Sequence, residues 1–221
     1  MQRLLKILED LLIEETERRK GSKRQGGNRT KQGFDVLWSF SMGSTARPPK
    51  NGKRKDGTYA FDLPHPFFNG RMVCDEDPLL LKSHTDFKRK VWVIAGIVLD
   101  FLDPAYKEGG WALYASCKDD ASEINWHQDK HDVQYQYWAK LGCFENEFVD
   151  FGESEHDDHT RTFFGTRREG EPYPIVKCDT RGWHRVRKAN FKGVSYSLAW
   201  FKMYDSTQTC LPPRFWPPVY I

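Results

Sequence analysis

Two short polar runs carry the clearest chemical potential in this chain, NWHQDKHD at 125–132 and RGWHRV at 181–186. In an extended chain, residues i and i+2 point to the same side, so His127 and Asp129 can reach one point together. His184, from the second run, can supply a third ligand. Two imidazoles and one carboxylate that leave coordination positions open are the ligand set of mononuclear non-haem iron oxygenases. The spacing therefore predicts that these three residues hold Fe(II) and are the catalytic residues.

Polar and aromatic neighbours of these ligands are candidates for orienting the imidazoles by hydrogen bonds or for contacting a substrate. They are Asn125, Trp126, His131, Asp132 and Trp183. A third run, EHDDH at 155–159, also contains metal-ligating residue types. It predicts either a second ion or substrate site, or a solvated loop between strands.

The surrounding elements must position these residues. Apolar residues at helical spacing predict an amphipathic helix over 1–20, and the Gly-, Lys- and Arg-rich stretch 21–58 predicts a partly flexible segment. A domain is expected over 59–221, with a helical part at 77–102, a β core at 111–204 and a Pro-rich strap at 205–221. Aromatic and β-branched residues predict strands at Trp111–Cys117, Tyr135–Phe144, Thr160–Thr166, Tyr173–Cys178 and Gly193–Met203. Helices followed by many short strands favour an α+β fold with a jelly-roll core.

Two longer patterns resemble the 2-oxoglutarate/Fe(II) dioxygenase superfamily: HQDKHDVQYQYWAKLGCF at 127–144, and WHRV followed by GVSYSLAWF within 183–201. The resemblance covers roughly Trp111–Tyr204. Within the superfamily, the pattern is most similar to the TET/JBP group, which oxidises methyl groups on DNA bases, and AlkB-like repair enzymes share the ligand pattern. The resemblance implies a double-stranded β-helix with a helical N-terminal preface. It also implies Fe(II), 2-oxoglutarate and O2, used to oxidise a modified base such as 5-methylcytosine.

One position departs from the family pattern. Members usually carry an arginine at the start of the last strand, which binds the distal carboxylate of 2-oxoglutarate, but Ser195 stands in that slot. A serine cannot make this bidentate, charge-assisted contact. Lys140 is the favoured substitute, and its alternative interpretation is an edge or surface lysine. Other bases that could bind the cosubstrate are Arg187, Lys192, Arg167 and Arg168, and a different reductant is a further alternative.

The charge distribution points to a partner. Between Arg18 and Lys55 there are twelve Lys and Arg residues and one acid, Asp35, although the formal net charge of the whole chain is only +3. Such a run predicts contact with the phosphates of a nucleic acid, or else a solvated loop. Five scattered cysteines without CxxC spacing predict a reducing intracellular compartment, nuclear if the source is eukaryotic and the substrate is DNA. The sequence contains no run of eighteen apolar residues, so no membrane-spanning helix is predicted.

Three functions remain open at this point. The first is a nucleobase oxygenase. The second is a hydroxylase of proteins or small molecules from the same superfamily, for which the basic segment would be dispensable. The third is a catalytically inactive jelly-roll binding module, which the serine in the arginine slot favours.

Overall fold

The computed structural model describes residues 1–19, 38–43, 67–68, 71–72, 86–107, 111–118, 123–129, 135–155, 159–202 and 218–221. Within these ranges the chain forms helices α1 (Gln2–Arg19) and α2 (Asp86–Leu102) and a short 3-10 helix, Pro104–Lys107. The strands in the same ranges are β1 (Trp38–Gly43), β2 (Phe67–Phe68), β3 (Arg71–Met72), β4 (Ala112–Lys118), β5 (Ile124–His127), β6 (Gln136–Leu141), β7 (Phe144–Gly152), β8 (Arg161–Arg167), β9 (Ile175–Cys178), β10 (Trp183–Arg187), β11 (Lys192–Gly193), β12 (Ser195–Phe201) and β13 (Val219–Tyr220).

The strands form two antiparallel sheets. The larger sheet has the order β13-β9-β6-β12-β4-β1-β2-β3, and the smaller has the order β11-β7-β10-β5, with β8 paired to β7. Along the chain from β4 to β12 the strands pass back and forth between the two sheets, which is the connectivity of a double-stranded β-helix, or jelly roll. The predicted fold class, an α+β jelly roll with a helical N-terminal preface, is confirmed.

The two helices cover the outer face of the larger sheet. Leu5, Leu8 and Leu12 of α1 are fully buried, as are Val91 and Val98 of α2, because their helical spacing places them on one face of each helix. They share a single core with every second residue of the central strands, namely Leu113, Ala115 and Cys117 of β4, Tyr137, Ala139 and Leu141 of β6, and Tyr196, Leu198 and Trp200 of β12. Helix α1 is therefore part of the same packed unit as the β core.

The alternate residues of those strands point into the barrel, between the sheets. A second apolar cluster lies there, built from both sheets: Val149, Phe151, Phe163, Val176, Cys178 and Val186, with Ile124, Trp138 and Phe164 packed against it. Further along the same inner faces the residues become polar, with Lys140 and Ser197 facing each other across β6 and β12. The barrel interior is thus apolar in the middle and charged towards one end.

A bulge in the smaller sheet determines which residues of β5 face inwards. His184 pairs with His127 while Val186 pairs with Ile124, so three steps along β5 match two steps along β10. The extra residue lets both Ile124 and His127 face the interior, which simple alternation would forbid. Trp126 is thereby turned to the outside.

Several predicted boundaries differ from the structure. The predicted strand Tyr135–Phe144 ends at Leu141, and a turn leads into the nine-residue strand β7, which the sequence pattern did not indicate. Of the predicted helical part 77–102, the described portion is helical from Asp86. Most of the basic segment 21–58 and of the strap 205–221 lies outside the described residues, although β13 at the strap's end pairs with β9. Among the described residues, no helix has the length and apolar character needed to cross a membrane.

Candidate metal centre

Two neighbouring strands of the smaller sheet carry the three residues singled out from the sequence. His127 is the last residue of β5 and pairs directly with His184 of β10. Asp129 follows β5, and its backbone N–H donates to the carbonyl of Thr180, 2.8 Å away, in the loop before β10. This hydrogen bond holds the end of β5 against the start of β10, at the mouth of the barrel.

The three side chains converge on one point. One ligand atom from each of His127, Asp129 and His184 can be chosen so that all three atoms lie within 4.8 Å of one another. The Nε2 atom of His127 is 4.0 Å from Oδ1 of Asp129, and the Nε2 atom of His184 is 3.7 Å from Oδ2. Among the described residues, no other group of His, Cys, Asp and Glu side chains converges in this way.

Backbone carbonyls fix the orientation of both imidazoles. The Nδ1 atom of His127 lies 2.8 Å from the carbonyl oxygen of Asn125, and that of His184 lies 3.1 Å from the carbonyl oxygen of Gly182. A carbonyl oxygen only accepts, so each Nδ1 donates a proton to it and Nε2 is the atom of each ring that would bind a metal. Two imidazole lone pairs and a carboxylate oxygen, all facing one point, fit an Fe(II) ion with open coordination positions.

The site is closed on one side and open on the other. The side chain of His184 is 2% exposed, whereas those of His127 and Asp129 are 21% and 41% exposed. Burial, followed by the neighbouring His127, lowers the pKa of His184 to about 4, so its imidazole is neutral at physiological pH. A neutral imidazole is the form that binds a metal.

Aromatic rings form the inner wall behind His184. The ring of Phe151 stacks on this imidazole at a centroid distance of 5.9 Å, and the indole of Trp138 meets it edge-on at 6.4 Å. These rings pack against the buried imidazole on the side facing the barrel interior. Trp138 faces the barrel interior beside the candidate site, whereas Trp126 and Trp183 do not.

The other residues predicted to flank the metal ligands lie away from the barrel interior or outside the described residues. Trp126 lies on the outer face of the smaller sheet, where the guanidinium of Arg185 stacks 4.7 Å from its ring centroid. Trp183 is on the strand face opposite to His184, and Asn125 is exposed and acts through its carbonyl oxygen. Trp126 and Trp183 therefore lie outside the barrel interior, and their contact with a substrate stays a prediction. His131 and Asp132 lie outside the described residues, as do the three central residues of the run 155–159.

The candidate cosubstrate anchors separate into outer and inner residues. Arg187 alternates with His184 and Val186 on β10 and therefore points outwards, where its Nη2 donates to Oδ1 of Asp150 at 3.0 Å. This outward position does not favour Arg187 as a cosubstrate anchor, and that role stays a prediction. Three other bases considered also lie away from the interior: Arg167 pairs with Glu9 of α1, Lys192 pairs with Glu145 at the surface, and Arg168 is exposed.

Lys140 and Ser195 do face the interior. Lys140 is fully buried, so the alternative of an edge or surface lysine is wrong. Its Nζ donates to Oε1 of Glu147 at 2.7 Å and to Oγ of Ser197 at 2.6 Å. The Oγ of Ser195 is buried without a hydrogen-bond partner.

Two further lysines complete this region, and sequence reasoning missed them together with Glu147. The Nζ of Lys188 is 3.8 Å from Oε1 of Glu147, and Lys118 on β4 pairs in register with Ser195 on β12. Burial alone would raise the pKa of Glu147, but the ammonium groups of Lys140, Lys188 and Lys118 lower it to about 2. We call this region the lysine chamber, and it consists of Lys118, Lys140, Glu147, Lys188, Ser116, Ser195 and Ser197.

Comparisons with known proteins give a limited result. No family model matches the chain. No curated protein matches it. Among solved structures it is similar to a vicilin from Solanum melongena, with 8% identity over 42% of this chain and 22% of that chain, at a TM-score of 0.31. It is also similar to a cupin 2 conserved barrel domain protein from Salinispora arenicola, with 10% identity over 41% of this chain and 61% of that one, at a TM-score of 0.28.

A third similar structure is an oxalate oxidase, with 13% identity over 42% of each chain and a TM-score of 0.30. The chain thus spans less than two thirds of each of these three structures. With identities and TM-scores this low, the jelly-roll assignment rests on the strand order and the packing of the inner faces.

Proposed function

We propose that this protein is an Fe(II)-dependent oxygenase that uses 2-oxoglutarate and O2 to oxidise a modified base in nucleic acid, as in the TET/JBP group. The observation that carries the proposal is the convergence of His127, Asp129 and His184 at the mouth of a jelly-roll barrel. When bound, the iron and the 2-oxo acid supply activated oxygen for insertion into a C–H bond. The protein's own residues hold the metal, orient it and limit the access of water.

The orientation and charge of the three protein ligands support the binding of iron. The imidazoles of His127 and His184 are already in the tautomer that presents Nε2, and His184 is neutral because it is buried. Little side-chain rearrangement is needed for binding, so ligand orientation is largely complete in the folded chain. The exposure of Asp129 leaves the outer side of the site open to an incoming substrate.

Lys140 supports a cosubstrate with a distal carboxylate. Its ammonium lies 5.5 Å from the ring centroid of Trp138, which in turn lies 6.4 Å from that of His184. An ammonium group has three donors, and Glu147 and Ser197 use two of them, so one remains for a carboxylate. Lys140 can therefore take the role of the family's arginine, whose position is occupied by Ser195 in this chain.

Nucleic acid as the substrate rests on the sequence. The resemblance to the TET/JBP group and the basic run between Arg18 and Lys55 both favour a polyanionic partner. A base in duplex DNA would need to be flipped out of the stack to reach the exposed side of Asp129. Neutralising lysines and arginines of this run should flatten the salt dependence of nucleic-acid binding, because fewer counterions are released.

The first experiment tests the metal and the cosubstrate. Under anaerobic conditions, Fe(II) and 2-oxoglutarate together should produce the weak visible metal-to-ligand charge-transfer band of a chelated 2-oxo acid. The band should be lost in His184→Ala and kept in His159→Ala, which removes an exposed histidine. Iron binding without the band would contradict the 2-oxoglutarate assignment, and the absence of iron binding would favour an inactive binding module.

The second experiment tests the substrate. With O2 admitted, oligonucleotides containing 5-methylcytosine should be converted to oxidised products detectable by mass spectrometry. If 2-oxoglutarate is consumed in the presence of other substrates while all modified DNA and RNA oligonucleotides remain unchanged, the protein is a hydroxylase of proteins or small molecules instead.

A further inference from the structure

The charged end of the barrel holds more than a single anchoring lysine. Lys118, Lys140 and Lys188 are 6%, 0% and 2% exposed, and Glu147 is 0% exposed. The formal charges of these four side chains sum to +2. Removing charged groups from water is costly unless the groups are paired and hydrogen-bonded. A cluster of this kind inside a small barrel calls for a specific reason.

Unpartnered polar atoms line the same region. The Oγ atoms of Ser116 and Ser195 and the Oε2 atom of Glu147 are buried and have no hydrogen-bond partner. Ser116 pairs in register with Ser197 on β12, and Ser195 pairs with Lys118, so both hydroxyls stand beside the lysines. Buried polar atoms are normally satisfied, and two unpartnered hydroxyls on the neighbouring strands β4 and β12, one of them opposite Lys118, can donate to an anion.

An apolar layer separates the lysine chamber from the metal centre. Val186 and Val149 are paired across β10 and β7, and Trp138 and Val176 are paired across β6 and β9. These four residues lie one inward-facing position deeper in the barrel than the residues at its mouth. Lys188, Glu147 and Lys140 lie one inward-facing position deeper again. A ligand that reaches the chamber from the mouth must therefore have an aliphatic middle and an anionic end.

We propose that Glu147 is a specificity residue of the lysine chamber, where its carboxylate counters the lysines and limits the affinity for anionic ligands. This inference rests on the proposed function, because it takes the dicarboxylate cosubstrate as the ligand. Glu147 contacts Lys140 at 2.7 Å and approaches Lys188 at 3.8 Å, so an incoming carboxylate meets both attracting ammonium groups and one repelling carboxylate. The chamber then binds a carboxylate tightly enough to hold it and weakly enough to release it.

The sign of the effect distinguishes this role from a structural one. Replacing Glu147 with Gln removes one negative charge and keeps the size of the side chain. One unit charge about 4 Å away, at an effective dielectric constant of about 20, changes anion affinity by roughly a thousandfold, so a change well above tenfold is expected. Glu147→Gln should therefore bind a dicarboxylate more tightly than the native protein, although it folds less stably. A merely structural glutamate would give weaker binding or none.

The test uses the full chain without metal and with glutarate, a dicarboxylate that lacks the 2-oxo group. Affinity is measured by calorimetric titration in a chelator, and the neutral analogue glutaramide is the ligand control. Glu147→Gln should bind glutarate at least about tenfold more tightly, and Lys188→Met should bind it correspondingly more weakly. Neither should change the binding of glutaramide. The matched control Glu145→Gln, two residues away on the same strand and 45% exposed, should leave the affinity unchanged.

Several results would overturn the inference. Unchanged or weaker glutarate binding by a folded Glu147→Gln would do so, and so would the absence of glutarate binding by the native chain. If Glu147→Gln does not fold, Glu147→Asp and Lys118→Met decide instead. The first should keep the native affinity within about threefold because it keeps the charge, while the second should lose about tenfold or more. Because no metal is present, a failed iron assay leaves this result standing, and a failed glutarate assay leaves the metal centre standing.

Discussion

Glu9 is the residue through which helix α1 should support the barrel. It is 6% exposed, and its carboxylate accepts hydrogen bonds from the backbone N–H of Gly142 at 2.6 Å and from Tyr173 Oη at 2.8 Å. It also pairs with Nη1 of Arg167 at 2.9 Å. Gly142 lies in the turn between β6 and β7, immediately after the strand that carries Lys140. Glu9 therefore joins the helical preface to the turn that positions the lysine chamber.

Replacing Glu9 with Ala should strongly lower the free energy of unfolding. The guanidinium of Arg167 is 4% exposed and would lose the carboxylate that neutralises it. Removing one partner of a buried ion pair costs about 3–5 kcal/mol. For a chain of this size, each kcal/mol lowers the melting temperature by about 2–4 °C, so a decrease of roughly 10 °C is expected. Urea unfolding followed by circular dichroism measures the change, with Glu14→Ala, at an exposed position of the same helix, as the control.

A double-mutant cycle tests the reason for the loss. If the cost arises from an uncompensated guanidinium, then Arg167→Ala in the Glu9→Ala background should cost much less than the same change alone. Additive losses, or a loss below about 1 kcal/mol for Glu9→Ala itself, would refute the reasoning, because a buried pair is expected to be coupled. The helix would then be held by apolar packing alone.

Three further predictions concern the site and its surroundings. Because the pKa of Glu147 is lowered from 4.5 to about 2, its contribution to stability should be complete above about pH 4.5 and lost as the pH falls through 2. In urea titrations between pH 6 and 3, the difference in stability between native protein and Glu147→Gln should therefore narrow as the pH falls. Fe(II) at about one hundred times its dissociation constant should stabilise the native chain by about 2.7 kcal/mol in anaerobic thermal unfolding, and a chelator or His184→Ala should abolish the gain. Arg187→Ala should leave the charge-transfer band intact and Lys140→Met should remove it, since only Lys140 faces the interior; the reverse result would contradict the assignment of faces.

The sequence predicted the fold class and the convergence of three residues because both depend on local pattern. The helical spacing in α1 and the i, i+2 spacing of His127 and Asp129 survive in the folded chain. Strand β7 was missed because its register shifts between Phe144 and Glu147, where Asn146 has a φ of 63°. This bulge interrupts the period of two by which a strand is identified. The inward position of Glu147 also breaks the rule that buried positions are apolar.

The lysine chamber could not be predicted because its charges come from separate strands. The four charged residues belong to or adjoin four different strands: Lys118 is in β4, Lys140 in β6, Glu147 in β7, and Lys188 follows β10. In the sequence, each one taken alone looks like an ordinary charged residue that faces solvent. Only the placement of successive strands in alternate sheets brings these residues to one end of the barrel. An apolar filling of the same positions would be expected to be at least as stable, because the desolvation of buried charges often outweighs their mutual attraction. Stability therefore gives no reason to keep three lysines and a glutamate inside, whereas the binding of a carboxylate does.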